Sequence, residues 1–350
     1  MPGDCKQDVM SKVVSIITPS FNRADIVGET AASIFNQTYP HWEWVIVDDG
    51  STDNSWEVLQ QLAAKDERVK IFRRNREPKG ACACRNIAIE NCSGEYLIFL
   101  DTDDLLASFC LEQRVNAMLQ NPDCDFVIFP MLLFKNKPDD LKLLWSVEDG
   151  RDDLLRIFEG DPICQGTGTL WKKSAFQTVG MWKEDLKLWQ DIELHIRSIL
   201  WPVKYVKRMD LLPDVFLRVS DISLSRTGFN SLPKLQSRMR VFFDACQTVV
   251  QKHLATKYQS GLRAMGWGIT ISAINSSHFE EAKRLLQFCQ QNNILSRQQI
   301  SQLNRYLFIR KYKMYKIKAV HNHFFQKISK LSPAAHYTIG QVSWQKPVLI

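Results

Sequence analysis

Three carboxylates fall within four residues at Asp101-Thr102-Asp103-Asp104. Like charges this close repel. They are tolerated where a hard divalent cation takes oxygen ligands among them, and Mg²⁺ sites often combine one or two carboxylates with substrate phosphates. A helix N-cap is the plainer account, with Asp103 or Asp104 starting a helix at Leu105. The tetrapeptide alone fits either account. A second acidic run, Asp48-Asp49-Gly50-Ser51-Thr52-Asp53, carries turn and cap chemistry for a helix at Asn54. A cap explains one acid but not two adjacent ones; Asp49 would instead accept from a nucleobase N–H. Arg85 sits in a helical stretch, where an arginine is ordinarily a surface residue. A guanidinium facing the acids could hold a diphosphate or orient Asp101. Gly166-Thr167-Gly168 lacks the third glycine of a dinucleotide loop and does not follow the first strand. It reads as a turn that lets a substrate approach closely.

These groups must be positioned by an alternating chain. Short β-branched runs at 13–18, 42–47, 69–72 and 96–100 alternate with helical spacing at 25–37, 54–64 and 80–91. The strands lack polar alternation, as expected when helices cover both sheet faces. The pattern predicts an α/β fold with a mostly parallel central sheet flanked by helices. The polar clusters all follow strands, on the sheet edge where ligands bind in such folds. Residues 126–134 read as one buried strand. Helices are expected at 152–159, 172–178 and 190–200, with short strands at 204–206 and 215–219. Past residue 232 helices dominate, at 236–253, 261–275, 278–291, 298–309 and 312–330. This predicts a first unit over 1–230 and a basic α-helical region over 231–350.

The 350 residues include 45% hydrophobic and 24% charged types, an ordinary globular composition. The apolar runs are too short to span a bilayer. No secretory signal precedes the first strand, and nine scattered cysteines without a CxxC pair suit reduced thiols, so a cytoplasmic location is expected. Cys82 and Cys84 read as packing residues on a helix face. Residues 1–200 hold 22 Lys/Arg against 32 Asp/Glu, whereas 201–350 hold 23 against 6. No acid follows Glu281. The basic, aromatic-rich stretch 282–350 predicts contact with an anionic membrane face, beside the plainer account of a packed helix with a solvated basic side. It contains no recognisable nucleic-acid module, and no nucleic-acid partner is expected.

Together, the stretches VSIITPSFNR, SIFNQTYPHWEWVIVDDGSTDNS, KGACACRNIAI, GEYLIFLDTDD, GTGTLWKKSAFQTVGMW, WQDIELHIR and FLRVSDISLS resemble glycosyltransferase family 2, enzymes of the GT-A fold that use nucleotide-activated sugars. The resemblance covers about the first 225 residues, in the family's order. It implies that Pro19 and Phe21 line a base pocket that Asp49 reads, with Arg23, Gly50, Ser51, Arg85 and Thr102 in the nucleotide-sugar site. Asp101 and Asp103 would be the DxD pair, with Asp103 the direct ligand of Mn²⁺ or Mg²⁺ and Asp104 supporting it. Asp191 would be the general base in an inverting displacement. Gly166, Thr167, Gly168 and Gln190 would lie toward the acceptor, a sugar or a lipid-linked sugar. Arg218, Ser220 and Ser225 would contact phosphate or shape its loop.

Two departures from the family pattern stand out. Gln190 replaces the usual glutamate before the catalytic aspartate, and Ser220 stands where many relatives have a histidine. They leave a non-catalytic nucleotide-sugar binder as the rival reading, against which the retained Asp103 and Asp191 argue. A glycosidase would account for two carboxylates but not for the base pocket. A nucleotidyltransferase would need a glycine-rich, lysine-containing loop after the first strand, which TPSFNR is not.

Overall fold

The computed structural model describes residues 12–219, 227–316, 337–338 and 341–342. Four parallel strands open the chain: β1 (Val14–Ser20), β2 (Trp42–Asp48), β3 (Val69–Arg73) and β4 (Tyr96–Phe99). Helices α1 (Val27–Phe35), α2 (Ser55–Lys65) and α3 (Ala81–Asn91) connect them. Every residue of β2 is buried, which explains a run that is apolar but for Glu43 and the terminal Asp48. The strands lie in the order β3-β2-β1-β4. The chain therefore reverses its direction of sheet growth between β1 and β4, and in open α/β sheets ligands bind at the carboxyl ends beside such a point. The register sets Ser20 beside Asp48 and Ile17 beside Phe99, so the polar segments after β1, β2 and β4 share one rim.

The sheet continues beyond β4 with an inverted strand. β9 (Thr169–Lys172) runs antiparallel to both β4 and β6 (Phe126–Ile128), and β10 (Tyr205–Lys207) pairs parallel with β6. A second sheet has the order β5 (Leu105–Leu106), β11 (Val215–Arg218), β7 (Met131–Phe134), β8 (Leu143–Leu144). Two sequence expectations fail here. The run 126–134 is two strands in different sheets, broken at Phe129-Pro130, because proline has no N–H for a ladder. The Phe129 N–H donates instead to the Gly168 carbonyl at 2.9 Å. No helix starts at Leu105 either. That residue enters β5, and α4 begins only at Cys110 (Cys110–Gln120). The N-cap account of Asp103 and Asp104 falls with it.

Helices α5 (Asp153–Phe158), α6 (Lys173–Val179) and α7 (Gln190–Leu200) follow, close to their expected positions. The C-terminal helices are α8 (Leu232–Gln251), α9 (Ala255–Asn275), α10 (Phe279–Gln291) and α11 (Arg297–Lys311). They pack against the sheet-bearing part. A Cβ on Gly261 of α9 would press into Phe158 and Leu155 of α5, so glycine permits that close approach. Asp152 caps α5 by accepting from the Leu155 N–H and also receives Lys257 at 2.7 Å. Ser237 of α8 accepts from the Lys187 N–H at 2.8 Å, just ahead of α7. A helix was expected over 312–330, but α11 stops at Lys311. Lys313 adopts φ +57° and a 3₁₀ turn spans Met314–Lys316. Residues 317–330 lie outside the described residues. Strands β12 (Tyr337–Thr338) and β13 (Gln341–Val342) form a small antiparallel pair. Among the described residues no helix is long and apolar enough to cross a membrane. Cys82 and Cys84 are free thiols buried on α3, as the packing reading expected.

One buried acid clamps the amino-terminal edge of the sheet. Glu43 of β2 accepts from Ser15 Oγ at 2.6 Å, from Lys70 Nζ at 2.6 Å and from the backbone N–H groups of Ser93 and Gly94. Burial pushes its carboxyl up, but the bonds from Lys70, Ser15, Ser93 and Gly94 outweigh it and hold the group at about 2. A depressed carboxyl stabilises the fold above its unfolded value and loses that contribution as pH falls toward 2. Glu43→Gln is expected to lose up to about 3 kcal/mol near neutral pH. The difference from the natural chain should shrink toward pH 2, as read by urea unfolding across pH. A pH-independent difference would contradict this account.

Candidate functional site

The rim is built from three loops. After β1, Asn22 takes φ +51°, and its N–H donates to Ser51 Oγ at 2.9 Å while its side-chain oxygen accepts from the Thr52 N–H at 2.8 Å. After β2, Asp48 turns inward and closes its own loop, accepting from the N–H groups of Gly50 and Ser51 and from the Ser51 hydroxyl. Gly50 sits at φ +80°, which this tight turn requires. Asp49 is thereby left to face the other way. Its Oδ1 accepts from Arg74 Nε at 2.6 Å and from the Gly80 N–H at 3.3 Å. The two acids divide the work: Asp48 makes the turn, and Asp49 lines the rim.

Pro19 closes β1, and Phe21 beyond it lies beneath Lys79, whose ammonium is 3.8 Å from the ring centroid. Lys187 Nζ donates to the Lys79 carbonyl at 2.6 Å. Arg74 and Lys79 were missed by the sequence reading. The signal was the cluster Arg73-Arg74-Asn75-Arg76 after the third strand, an excess of cations beside an acidic loop. The Arg23 N–H donates to Ser55 Oγ at 2.7 Å, and its charge acts on Asp103.

The third loop carries the acid cluster. Asp101 is about half exposed, and its Oδ1 receives Arg85 Nη2 at 2.6 Å. Arg85 is not a surface residue. It is buried on α3, its guanidinium lies 4.9 Å from the Trp182 ring centroid, and its Nε has no partner among the described residues. Thr102 is buried, and its carbonyl accepts from Thr30 Oγ1 at 2.9 Å. The Asp103 carboxyl accepts from its own backbone N–H, and no other described residue donates to it. Burial and the neighbouring Asp101 charge push it up from the ordinary carboxylate range. Asp104 is buried deeper, and its Oδ1 accepts from the Arg218 N–H at 2.9 Å. Burial, then Asp103 and Asp101, raise it well above the usual range. Arg218 Nε donates to the Asp103 carbonyl at 2.9 Å and its Nη2 pairs with Glu29 at 2.5 Å, so its guanidinium braces this loop. Ser220 and Ser225 lie outside the described residues.

Asp191 comes from the first turn of α7, behind Trp189 at φ +65°. It is partly accessible, and the Gly166 N–H donates to its carboxyl. Burial raises the group to about 6, with the Arg85 charge pulling it down and the Asp101 charge pushing it up. Gln190 beside it donates to the Leu186 carbonyl at 3.0 Å. Gly166–Gly168 form a 3₁₀ turn, all buried. A Cβ on Gly166 would meet Asp191 and Trp182, and one on Gly168 would press into Met131, so packing requires both glycines. Below the turn, Arg114 is fully buried. Its Nη1 donates to the carbonyls of Thr167 and Thr169, and Nε and Nη2 grip Asp214 at 2.9 and 2.7 Å. That pair holds the turn, and through the Gly166 N–H it holds Asp191.

The parallel β3-β2-β1-β4 core, extended by an inverted strand and carrying acids at its carboxyl rim, is a GT-A fold. Residues 15–180 match the family model for Glycosyl transferase family 2. That segment is just under half of the chain, and over it the chain is similar to glycosyl transferase family 2. Its relatives include TuaG of Bacillus subtilis (strain 168), named for teichuronic acid biosynthesis, which is 41% identical over 114 residues, 33% of this chain and 44% of TuaG. Another is the Escherichia coli UDP-Glc:alpha-D-GlcNAc-diphosphoundecaprenol beta-1,3-glucosyltransferase WfgD, 38% identical over 109 residues, 31% of this chain and 42% of WfgD. The matched stretch spans less than half the length of either relative. Among solved structures, residues 1–349 of S. aureus TarS in complex with UDP-GlcNAc align with a TM-score of 0.61 at 16% identity, covering 90% of this chain and 92% of that one. This likeness concerns the fold.

Proposed function

We propose that the chain transfers a sugar from a nucleoside-diphosphate sugar to an acceptor hydroxyl, with inversion, in the assembly of a glycan or glycolipid. The observation that carries the reading is the placement of Arg85, paired with Asp101 at 2.6 Å and acting on Asp191 across the same crevice. A cation between the strand-end acids and a raised carboxylate suits a reaction in which a diphosphate departs on one side and a proton is taken up on the other. The nucleobase would rest between Pro19, Phe21 and Asp49, under Lys79. Residues 1–230 would carry the chemistry, and residues 231–350 would buttress it.

The Asp191 carboxylate accepts the proton of the acceptor O–H. The acceptor oxygen then bonds to the anomeric carbon as the bond from that carbon to the diphosphate oxygen breaks on the opposite face. Arg85 meets the charge developing on the diphosphate. The residues also fit a divalent cation. Asp103 is an oxygen donor to which no other described residue donates, pushed up by burial and then by the neighbouring Asp101 carboxylate, and a cation would relieve that repulsion. Asp103 with Asp101 would hold Mn²⁺ or Mg²⁺; Asp104 is already engaged by the Arg218 N–H. Among the described residues no three His, Cys, Asp or Glu side chains form a cage, so further ligands would be diphosphate oxygens and water. When bound, the ion supplies Lewis-acid neutralisation of the leaving group.

The test is a panel of nucleoside-diphosphate sugars with Mn²⁺, read by melting temperature and by mass spectrometry of products on glycan and lipid-linked acceptors. At least one donor is expected to raise the melting temperature and to add one sugar mass to an acceptor. A panel with no donor that binds would overturn the reading. A donor that binds but is never transferred to any acceptor would make the chain a binding protein.

A further inference from the structure

The C-terminal end of α11 presents an aromatic and basic face that is exposed among the described residues. Phe308 is 53% exposed and Tyr312 61% exposed, and their ring centroids are 4.6 Å apart. Met314, 37% exposed, follows on the 3₁₀ turn. Arg305, Lys311, Lys313 and Lys316 are all exposed around them. Arg310 is engaged, donating to the Asn275 carbonyl at 2.9 Å and lying 4.4 Å from the Tyr315 ring centroid. The facing acids are few. Glu280 on α10 pairs with Lys283 at 2.8 Å and senses Lys311, and after Glu281 the sequence has no acid.

We propose that this face docks the protein on an anionic phospholipid surface. The argument is charge complementarity joined to geometry. Four exposed cations, faced among the described residues only by Glu280 acting on Lys311, attract a negative headgroup layer. The aromatic pair and Met314 offer apolar surface that enters the headgroup boundary. A core-packing helix end would hide these rings, whereas here two tilted rings and Met314 are exposed within one short segment. Just past the end of α11, Lys313 takes φ +57° and a 3₁₀ turn over Met314–Lys316 follows. The face is local, set by residues 305–316, and the inference does not rest on the transfer chemistry.

The test uses the full chain and sucrose-loaded vesicles, one set of phosphatidylcholine and one with about a third phosphatidylglycerol. The protein is expected to sediment with the anionic vesicles at low salt and to be released by high salt. Phe308→Ser with Tyr312→Ser, and separately Lys311→Glu with Lys313→Glu, should each weaken partitioning about tenfold or more. Turnover of a soluble acceptor should be unchanged in both. The charge variant keeps the rings and the ring variant keeps the charges, so a folding defect in one leaves the other decisive. Equal binding to neutral vesicles, no anionic binding at low salt, or unchanged binding in both variants overturns the proposal. So does sedimentation velocity in which the ring variant turns a dimer into a monomer while vesicle binding stays the same. Tight capture of a single-stranded oligonucleotide without vesicle binding would assign the face to nucleic acid instead.

Discussion

Asp191→Asn should keep donor affinity within about twofold and lose about 10²–10⁴ in transfer rate, the range that positioned proton transfer contributes. The substitution is nearly isosteric and can still accept from the Gly166 N–H, so the loss belongs to the chemical step. The pH profile gives the second readout. The base works ionised, and burial holds its carboxyl at about 6. Transfer by the natural chain should rise with pH through about 6, and the residual rate of the variant should show no such limb. Stability should move the opposite way. A carboxyl raised above its unfolded value costs the folded state nothing below that value. The cost grows as pH rises to about 6 and is constant above. Asp191→Asn is therefore expected to melt higher than the natural chain above pH 6. Parallel loss of donor binding and transfer would make Asp191 a binding residue and defeat its assignment as the base.

Asp103→Ala should abolish most divalent-metal-dependent turnover, by about 10²-fold or more, because a Lewis acid at a departing diphosphate is worth several kcal/mol. Excess chelator should do the same to the natural chain and add nothing to the variant. The fold should survive. The Asp103 carboxyl accepts only from its own backbone N–H among the described residues, and its charge is opposed by Asp101, so truncation removes repulsion. An unchanged or raised melting temperature with turnover lost is the expected pair of results. Full activity of the variant, or of the natural chain in chelator, would refute metal dependence. Asp104→Asn serves as the contrast. It perturbs the bond from the Arg218 N–H and should disturb loop geometry before it disturbs metal affinity.

Much of this was legible because parallel-sheet segments announce themselves by composition. Apart from the buried Glu43, the runs at 42–47 and 96–100 are apolar because both faces of those strands are covered, and the polar residues that stop them are those of the rim. The run 126–134 misled because a buried strand and a buried pair of strands have the same composition. Pro130 was the available clue. Asp103 and Asp104 look equivalent in sequence. Only the β5–β11 pairing puts the Arg218 N–H against one and leaves the other facing the crevice. Arg85 looked like any helical arginine, and its burial depends on Trp182, far along the chain.

The sequence by itself determined the α/β alternation, the strand-end acids at Asp49, Asp101 and Asp103, and the helix that opens on Asp191, because each is a local pattern of periodicity and turn chemistry. The tertiary structure alone decided which acids face the crevice. It alone set Arg74 on Asp49, Arg85 on Asp101 and the Arg114–Asp214 pair beneath the Gly166 turn. Burial in the folded chain raises Asp191 to about 6, with Arg85 pulling it down and Asp101 pushing it up. The physical reason is that burial and opposite charge act through space at a few ångströms, between residues 16 to 100 positions apart in the chain. No local pattern encodes that proximity.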